Sequence, residues 1–270
     1  MTFHRTFTLL ALLLAACSSR GLDVVGSNPD SLKWDMVAHW PCDEGSGGLL
    51  LDRTGYGHNG SIIGATWLPD SGHTGFGGAL HFESGNSVMV GSFPDATDSW
   101  SVSLWVRPAT WGSPSPSPDN SDTYVTLIST EIAGIGGGGW EMAARFPNWE
   151  RTWRYNFAYP SPSDAAPWTY QWAEPVGLDF GIWTHLVAVV DSSASAMKLS
   201  FYKNGVLSTS AEKTITSLIL PGSNALYLGT WWKGGRYFVG DLDEIVIYGR
   251  ALTKDEVLAL FTRPAPLNSP

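Results

Sequence analysis

The sequence has few cysteines and few charged residues, and both shortages limit what the protein can be. Only two of its 270 residues are cysteines, Cys17 and Cys42, and only 15% are charged. Because Cys17 lies in the leading segment, Cys42 has no partner for a disulfide, and we expect it to be a buried, unreactive thiol. The 16 Lys and Arg residues are outnumbered by 25 Asp and Glu, so the basic stripe that nucleic-acid binding requires is missing.

The first 17 residues form a targeting segment whose apolar run is too short to cross a bilayer. The run covers 7–16 and closes on Leu-Ala-Ala-Cys at 14–17. This pattern indicates a lipobox, in which Cys17 becomes the acylated first residue of the mature protein. An ordinary signal peptide with a chance cysteine is the alternative. Because Ser18 follows where an aspartate favours the inner membrane, we predict a lipid-anchored protein of the bacterial cell envelope, at the outer membrane if the host has one.

Turn-forming and aromatic residues are abundant, with 30 Gly, 17 Pro and 14 Trp. About a dozen short runs rich in β-forming residues follow one another between these turns. They predict an all-β fold, a two-sheet antiparallel jelly-roll sandwich over residues 36–262. Asn204-Gly205 predicts a hairpin between 197–203 and 206–212, and a second hairpin is expected between 78–84 and 87–91. Residues 18–35 are interpreted as a polar tether, 111–122 as a surface loop rather than a linker, and 263–270 as a tail.

The end of the domain combines a doubly apolar strand with one short helix. Thr253, followed three residues later by Glu256, predicts a capping box at the start of this C-terminal helix. The strand 238–248 is apolar on both faces, which predicts cover on both. Strict alternation assigns one face to Leu242, Val246 and Tyr248, and the other to Asp243, Ile245 and Ile247.

Four segments in order resemble the laminin-G-like, concanavalin A-like lectin/glucanase superfamily in its bacterial form. They are 38–67, 75–108, 183–207 and 238–257, and they carry the motifs DEG, GALHF, WTH with YKNG, and GDLDEIVIYGRAL. The resemblance extends over 36–262 and implies the jelly-roll fold. The stretches 111–122 and 145–175 are longer than a minimal domain needs, which leaves the ligand open.

The same resemblance implies a structural calcium ion near the rim of the sandwich. Its candidate ligands are Asp52 and Asp243, with Asp43 behind them, since calcium takes six to eight oxygens from carboxylates and carbonyls. The alternative is that these aspartates cap turns by accepting backbone hydrogen bonds. His58 is interpreted as a solvated loop residue and His185 as a packed structural one.

Motifs for catalysis are missing. Related retaining glucanases carry two carboxylates on one strand face in the pattern E-x-D-x-x-E, whereas 241–244 reads Asp-Leu-Asp-Glu and then turns apolar. No Ser-His-Asp order and no metalloprotease motif occurs either. We therefore predict that the protein is not an enzyme.

Two segments rich in tryptophan and arginine, 145–175 and 230–238, favour a binding function. Aromatic rings can stack on the apolar faces of sugars, although packing between the sheets is the alternative for each tryptophan. The prediction is a non-catalytic, lectin-like carbohydrate-binding domain; a protein–protein or adhesion module and a divergent glycoside hydrolase are the alternatives. The candidate ligand-binding residues are Trp149, Trp153, Arg154, Trp168, Trp172, Trp231 and Trp232.

Overall fold

The computed structural model describes residues 29–94, 99–109, 115–116, 123–130, 139–145, 152–160, 168–173, 179–193, 197–213, 224–231, 234–264 and 267. Cys17, Trp149 and Trp232 lie outside these ranges. A 3-10 helix covers Pro29–Lys33, and the other elements are β1 (Met36–Trp40), β2 (Leu49–Leu50), β3 (Gly60–Ile63), β4 (Thr66–Leu68), β5 (Ala79–Phe82), β6 (Ser87–Phe93), β7 (Trp100–Pro108), β8 (Ser115–Pro116), β9 (Thr123–Thr130), β10 (Gly139–Arg145), β11 (Thr152–Pro160), β12 (Trp168–Ala173), β13 (Thr184–Asp191), β14 (Met197–Lys203), β15 (Val206–Lys213), β16 (Asn224–Leu228), β17 (Gly240–Tyr248) and α1 (Lys254–Thr262).

The strands form two antiparallel sheets that enclose one hydrophobic core. Sheet A has the order β15-β14-β13-β7-β17-β5-β4, with β1 also paired to β17. Sheet B has the order β12-β11-β10-β9-β16-β6-β3-β2, with β8 paired to β9. Both sheets send apolar side chains into the core, among them Trp40, Phe82, Leu104, Met142 and Phe201. The predicted all-β jelly-roll sandwich with one short C-terminal helix is confirmed.

Sheet A is covered on both faces. Its inner face meets sheet B, and its outer face packs against α1 and the 3-10 helix in a second apolar cluster, formed by Leu32, Met36, Val187, Val189, Tyr202, Val246, Tyr248, Leu252, Val257 and Leu260. The outer face of sheet B packs against no helix of the described residues. Helices therefore cover one outer surface of the sandwich and, among the described residues, leave the other uncovered. No helix in these ranges is long and apolar enough to cross a bilayer.

A bulge in β17 corrects the predicted alternation of that strand. The register shifts between Asp243 and Val246, and Glu244 adopts a positive φ of 47°. One extra residue moves every later side chain to the other face. Leu242 therefore joins Ile245 in the core between the sheets rather than Val246 in the outer cluster.

The predicted tether is too long at its C-terminal end. Its last part, Pro29–Lys33, is a 3-10 helix whose Leu32 is buried in the outer cluster of sheet A. The Ser31 hydroxyl donates to Glu256 Oε1 at 2.8 Å, and Arg250 Nη2 donates to the Ser31 carbonyl at 2.8 Å. This segment therefore belongs to the domain.

The two predicted hairpins have different outcomes. β14 and β15 pair across Asn204 and Gly205, which both have positive φ, so this hairpin is confirmed. β5 and β6 do not pair, because β5 lies in sheet A and β6 in sheet B. The turn between them is closed by the Asn86 N–H, which donates to the Glu83 carbonyl at 2.9 Å. This turn carries the chain from one sheet to the other.

Glu256 connects α1 to the 3-10 helix and to the segment after β17, and its charge should control stability in acid. Although burial favours the neutral form, hydrogen bonds from Arg250, Thr253 and Ser31 lower the pKa of Glu256 from 4.5 to about 2. Because the pKa of Glu256 is lower in the folded than in the unfolded state, its ionised form stabilises the fold above pH 4.5. This contribution disappears as the pH falls toward 2. We expect Glu256→Gln to lower the free energy of unfolding by about 1–2 kcal/mol at pH 7.

Urea unfolding at several pH values tests this expectation. The difference between Glu256→Gln and the parent protein should vanish near pH 2, and Asp255→Asn, an exposed neighbour on the same turn, is the control. A difference that stays constant across the pH range would contradict the assignment.

Candidate functional site

A gap along one edge of β17 creates the first candidate site. On this edge the strand pairs with β5 through Gly240–Leu242 and with β1 from Ile245 onward. Asp243 and Glu244 lie at the change of partner. Asp43 follows β1, and the glycine-rich segment 72–78 precedes β5, so both reach the same gap at the rim of the sandwich.

Asp243 is a buried carboxylate that is only half satisfied. Its Oδ2 accepts the His73 N–H at 2.9 Å, while its Oδ1 has no hydrogen-bond partner among the described residues. Burial raises the pKa of Asp243 to about 8. A buried oxygen without a donor is costly, and a bound cation is one way to satisfy it.

The segment 72–78 brings further oxygens close to this carboxylate. The main chain approaches these oxygens so closely that no side chain would fit. A Cβ added to Gly72 would lie 2.8 Å from Asp243 Oδ2 and 2.9 Å from the Gly77 carbonyl, and a Cβ added to Gly77 would collide with the Asp43 carboxylate. Asp43 Oδ1 accepts the Gly78 N–H at 2.9 Å. Beside these groups lies a pocket of about 340 Å³, lined by Asp43, Gly45, Pro69, Asp70, Gly75, Phe76, Gly77 and Gly78.

The donor set at this gap suits a hard cation with mixed ligands. The part of the chain that the structure describes contains no cluster of three or more His, Cys, Asp or Glu able to hold a metal ion. A cation at this gap would have two carboxylate ligands, Asp43 and Asp243. Main-chain carbonyls and water would have to supply the others, and calcium accepts such a mixture.

Asp52, one of the two leading candidate ligands, fits the turn-capping alternative instead. Its carboxylate accepts the N–H groups of His39, Thr54 and His58 at 3.0–3.1 Å and the Thr54 hydroxyl at 2.7 Å. Although burial opposes ionisation, these hydrogen bonds lower the pKa of Asp52. His58 is packed rather than solvated, because its Nδ1 lies 3.0 Å from the Val37 carbonyl.

A buried ion pair beside the gap has no counterpart among the predicted site residues. Arg263 Nη2 donates to Glu244 Oε2, and His39 Nε2 lies 3.4 Å from the same oxygen. Arg263 directly follows α1, so the pair holds the end of the helix against the bulge. The predicted tail begins at 263, but its first residues pack onto the domain. Pro264 also lies close to the segment 72–78, because a Cβ added to Gly75 would lie 3.0 Å from the Pro264 carbonyl.

The outer face of sheet B carries the second candidate site. Residues opposite each other in an antiparallel pair share a face, and one continuous row of paired residues crosses all eight strands of the main path. The row consists of Leu49, Ser61, Met89, Tyr227, Ser129, Glu141, Asn156 and Trp172. The centre of this row, at Ser129 and Glu141, is buried. The loop that follows β16 reaches this part of the face, because the Ser129 hydroxyl donates to the Thr230 carbonyl in that loop.

In that loop, the buried Arg236 lies against the ring of Trp231. The Arg236 guanidinium lies 4.3 Å from the centroid of the Trp231 ring and 4.8 Å from that of Tyr124. Its Nη1 lies 3.4 Å from Glu141 Oε2, and Glu141 Oε1 accepts the Thr126 hydroxyl. Arg236 and Glu141 are 8% and 2% exposed, whereas Trp231 is partly exposed. The arrangement fixes one aromatic ring at the surface of the sheet.

The remaining predicted binding residues fall on both faces of sheet B. Trp153 is in register with Ala144, which belongs to the core between the sheets. Arg154 is in register with Ala143, and Trp172 with Asn156, on the same face as Glu141. Trp168, four residues before Trp172 on β12, shares that face. The register thus groups Arg154, Trp168 and Trp172 with Glu141 and separates Trp153 from them.

Two residues expected to be inert are deeply buried. His185 is 1% exposed, its Nε2 lies 2.9 Å from the Ser103 hydroxyl, and burial lowers the pKa of His185 to about 3. Cys42 is fully buried, and burial raises the pKa of its thiol. Neither is placed to act as a base or nucleophile.

Comparison with known proteins agrees with the architecture. Residues 82–258 match the family model described as the concanavalin A-like lectin/glucanases superfamily. No curated protein sequence matches the chain. Several solved structures share the fold at low sequence identity.

Among these is domain 4 of AbnA, a GH43 extracellular arabinanase from Geobacillus stearothermophilus, solved in complex with arabinotriose. It is 22% identical, with a TM-score of 0.58, over 84% of this chain and 98% of that domain. The binding domain of botulinum neurotoxin DC, in complex with rat synaptotagmin II, is 15% identical with a TM-score of 0.57. The binding domain of Paraclostridial Mosquitocidal Protein 1 is 14% identical with a TM-score of 0.58. The match to the neurotoxin domain covers 87% of this chain, and the match to the domain of the mosquitocidal protein covers 85%. Each match covers 52% of the other chain.

The buried pair of Arg236 and Glu141 should be strongly coupled. Glu141→Gln and Arg236→Gln each leave a buried charge without its counter-charge, and we expect each to lower the free energy of unfolding by about 3 kcal/mol. The double variant should cost clearly less than the sum, as measured by urea unfolding in a double-mutant cycle. Asp179→Asn, which breaks the exposed pair with Lys203, is the control and should cost less than about 1 kcal/mol. Additive losses would contradict the pairing.

Proposed function

Because the chain belongs to the concanavalin A-like lectin/glucanases superfamily, we propose that it is a cell-envelope protein, lipid-anchored at Cys17, whose domain binds carbohydrate without turning it over. One observation carries this proposal: the Arg236–Glu141 pair braces the partly exposed ring of Trp231 on the one sandwich face that no described helix covers. The proposed ligand-binding surface consists of this ring and the neighbouring outer face of sheet B.

The chemistry of this surface suits a sugar. The C–H faces of a pyranose or furanose ring are apolar and stack on an aromatic ring, while the hydroxyl groups require polar partners. Ser61 and Tyr227 lie on the same face, and Arg154, Trp168 and Trp172 occupy positions of that face at its far side. The neighbour solved with arabinotriose supports carbohydrate as the ligand class.

Recognition is favoured over hydrolysis by the state of Glu141. Retaining and inverting glycosidases both need two carboxyl groups that flank the scissile bond. Glu141 is instead engaged by Arg236 and Thr126, which suits a supporting role. A protein ligand is the alternative occupant, and the binding experiment distinguishes it.

A structural calcium ion at the rim is the second part of the proposal. Asp43 and Asp243 would hold it together with main-chain carbonyls of the segment 72–78. The Oδ1 of Asp243, which accepts no hydrogen bond from any residue that the structure describes, supports this site, whereas Asp52 would stabilise the neighbouring turn. Such an ion would neutralise a buried carboxylate and join β1, β5 and β17 at the rim.

We expect Trp231→Ala to weaken glycan binding about ten-fold, because it removes the braced ring while leaving the sheet intact. A glycan array identifies the ligand, and calorimetry with that glycan measures the loss. Trp34→Ala is the matched control, since Trp34 is exposed and follows the 3-10 helix that packs on the outer face of sheet A, and it should bind as the parent protein does. Binding that survives Trp231→Ala would overturn the site, and silence across all glycans would favour a protein ligand.

Calcium should raise the melting temperature of the parent protein, because the ion binds the native state only. Asp243→Asn should abolish this gain and, in the presence of a chelator, be more stable than the parent, since it removes a buried acid whose charged form is disfavoured by burial. Asp52→Asn is the contrast: it loses turn hydrogen bonds and should be destabilised equally with and without calcium. Scanning calorimetry measures all three, and an Asp243→Asn protein that still gains stability from calcium would contradict the site.

A further inference from the structure

An exposed apolar surface lies on the α1 side of sheet A. Leu207, at the start of β15, is 49% exposed, and Leu258 on α1 is 48% exposed. Trp34, directly after the 3-10 helix, is 68% exposed. Large apolar side chains at this level of exposure, gathered on one side of a domain, indicate an interaction surface.

Contacts within the domain connect these residues. A Cβ on Gly205 would lie 3.1 Å from side-chain atoms of both Leu258 and Phe261, so the tip of the β14–β15 hairpin packs on α1. Leu207 is in register with Tyr202, a member of the outer cluster beneath α1. The 3-10 helix that precedes Trp34 contributes Leu32 to the same cluster. Leu207, Leu258 and Trp34 form the surface that we call the α1-side patch.

The chain that precedes this patch identifies its occupant. Eleven residues, 18–28, separate Cys17 from the 3-10 helix, and they can span at most about 40 Å when fully extended. An acyl group on Cys17 would therefore hold the 3-10 helix, and the α1 side to which it belongs, close to a bilayer. A second copy of the chain has no comparable constraint on its position.

We propose that the α1-side patch docks on the surface of the bilayer that holds the acyl chains of Cys17. This inference rests on the anchoring part of the proposed function. The tryptophan and the aliphatic side chains are suited to the boundary between headgroups and acyl chains. The exposed lysines Lys33 and Lys254 are balanced by Asp35 and Asp255, so apolar contact rather than charge dominates.

Docking on this side has a consequence for ligand access. α1 packs on the outer face of sheet A, and the proposed binding surface lies on the outer face of sheet B, at the opposite side of the sandwich. A domain that rests on its α1-side patch presents Trp231 away from its own membrane. The anchor would then set the orientation of the binding surface as well as its location.

Site-directed spin labelling of the acylated full chain in vesicles of phosphatidylethanolamine and phosphatidylglycerol tests the inference. Acylation blocks Cys17, and Cys42 is fully buried, so a single introduced cysteine takes the label. Leu207→Cys and Leu258→Cys report on the patch. Ile63→Cys is the matched control, because Ile63 is 50% exposed and lies in sheet B. Accessibility to oxygen and to a water-soluble nickel complex is measured at each label.

The labels at 207 and 258 should lie roughly 5–10 Å inside the headgroup boundary, with raised oxygen and reduced nickel accessibility. The label at 63 should behave as in water. Labels at 207 and 258 that also behave as in water, or that exclude both reagents as in a protein–protein contact, overturn the inference while leaving glycan binding intact. Mass spectrometry that finds Cys17 unmodified overturns the anchoring proposal and the inference together.

Discussion

The structure depends on β17, a central strand that is buried on both faces and pairs with different neighbours along one edge. Its first three residues pair with β5, and its last four with β1. Strict alternation cannot satisfy both pairings and both apolar faces. The bulge at Asp243 and Glu244, with a positive φ at Glu244, resolves this conflict. It sends Ile245 and Ile247 into the core and Val246 and Tyr248 toward α1.

Both candidate regions follow from this arrangement. The bulge places the side chains of Asp243 and Glu244 in the gap between β5 and β1. There Glu244 is paired with Arg263, and one oxygen of Asp243 has no partner within the described part of the chain. The residues on the far side of β17 attract α1, which closes the outer face of sheet A. The outer face of sheet B is then the broad face of the sandwich that no described helix covers, and the loop after β16 places Trp231 on it. The rim gap, the face covered by α1 and the open face of sheet B thus all depend on this strand.

Local signals predicted local structure well. The capping box at Thr253 and Glu256 and the hairpin at Asn204-Gly205 depend on adjacent residues, so the sequence identifies them. The bulge does not follow from alternation, because one extra residue is visible only when the partner strands are known. Glu141 and Arg236 are 95 residues apart, and pairs of this kind depend on the sheet order. Crossing between sheets, as after β5, likewise depends on the whole fold rather than on the turn.

Native-state hydrogen exchange of β17 tests the central role of this strand most directly. If β17 joins both apolar clusters, the amides of 245–248 should exchange only through global unfolding, with the full free energy measured in denaturant. The edge strand β15 should open at a lower free energy. Exchange of 245–248 through local openings, at a free energy no higher than that of β15, would contradict the account.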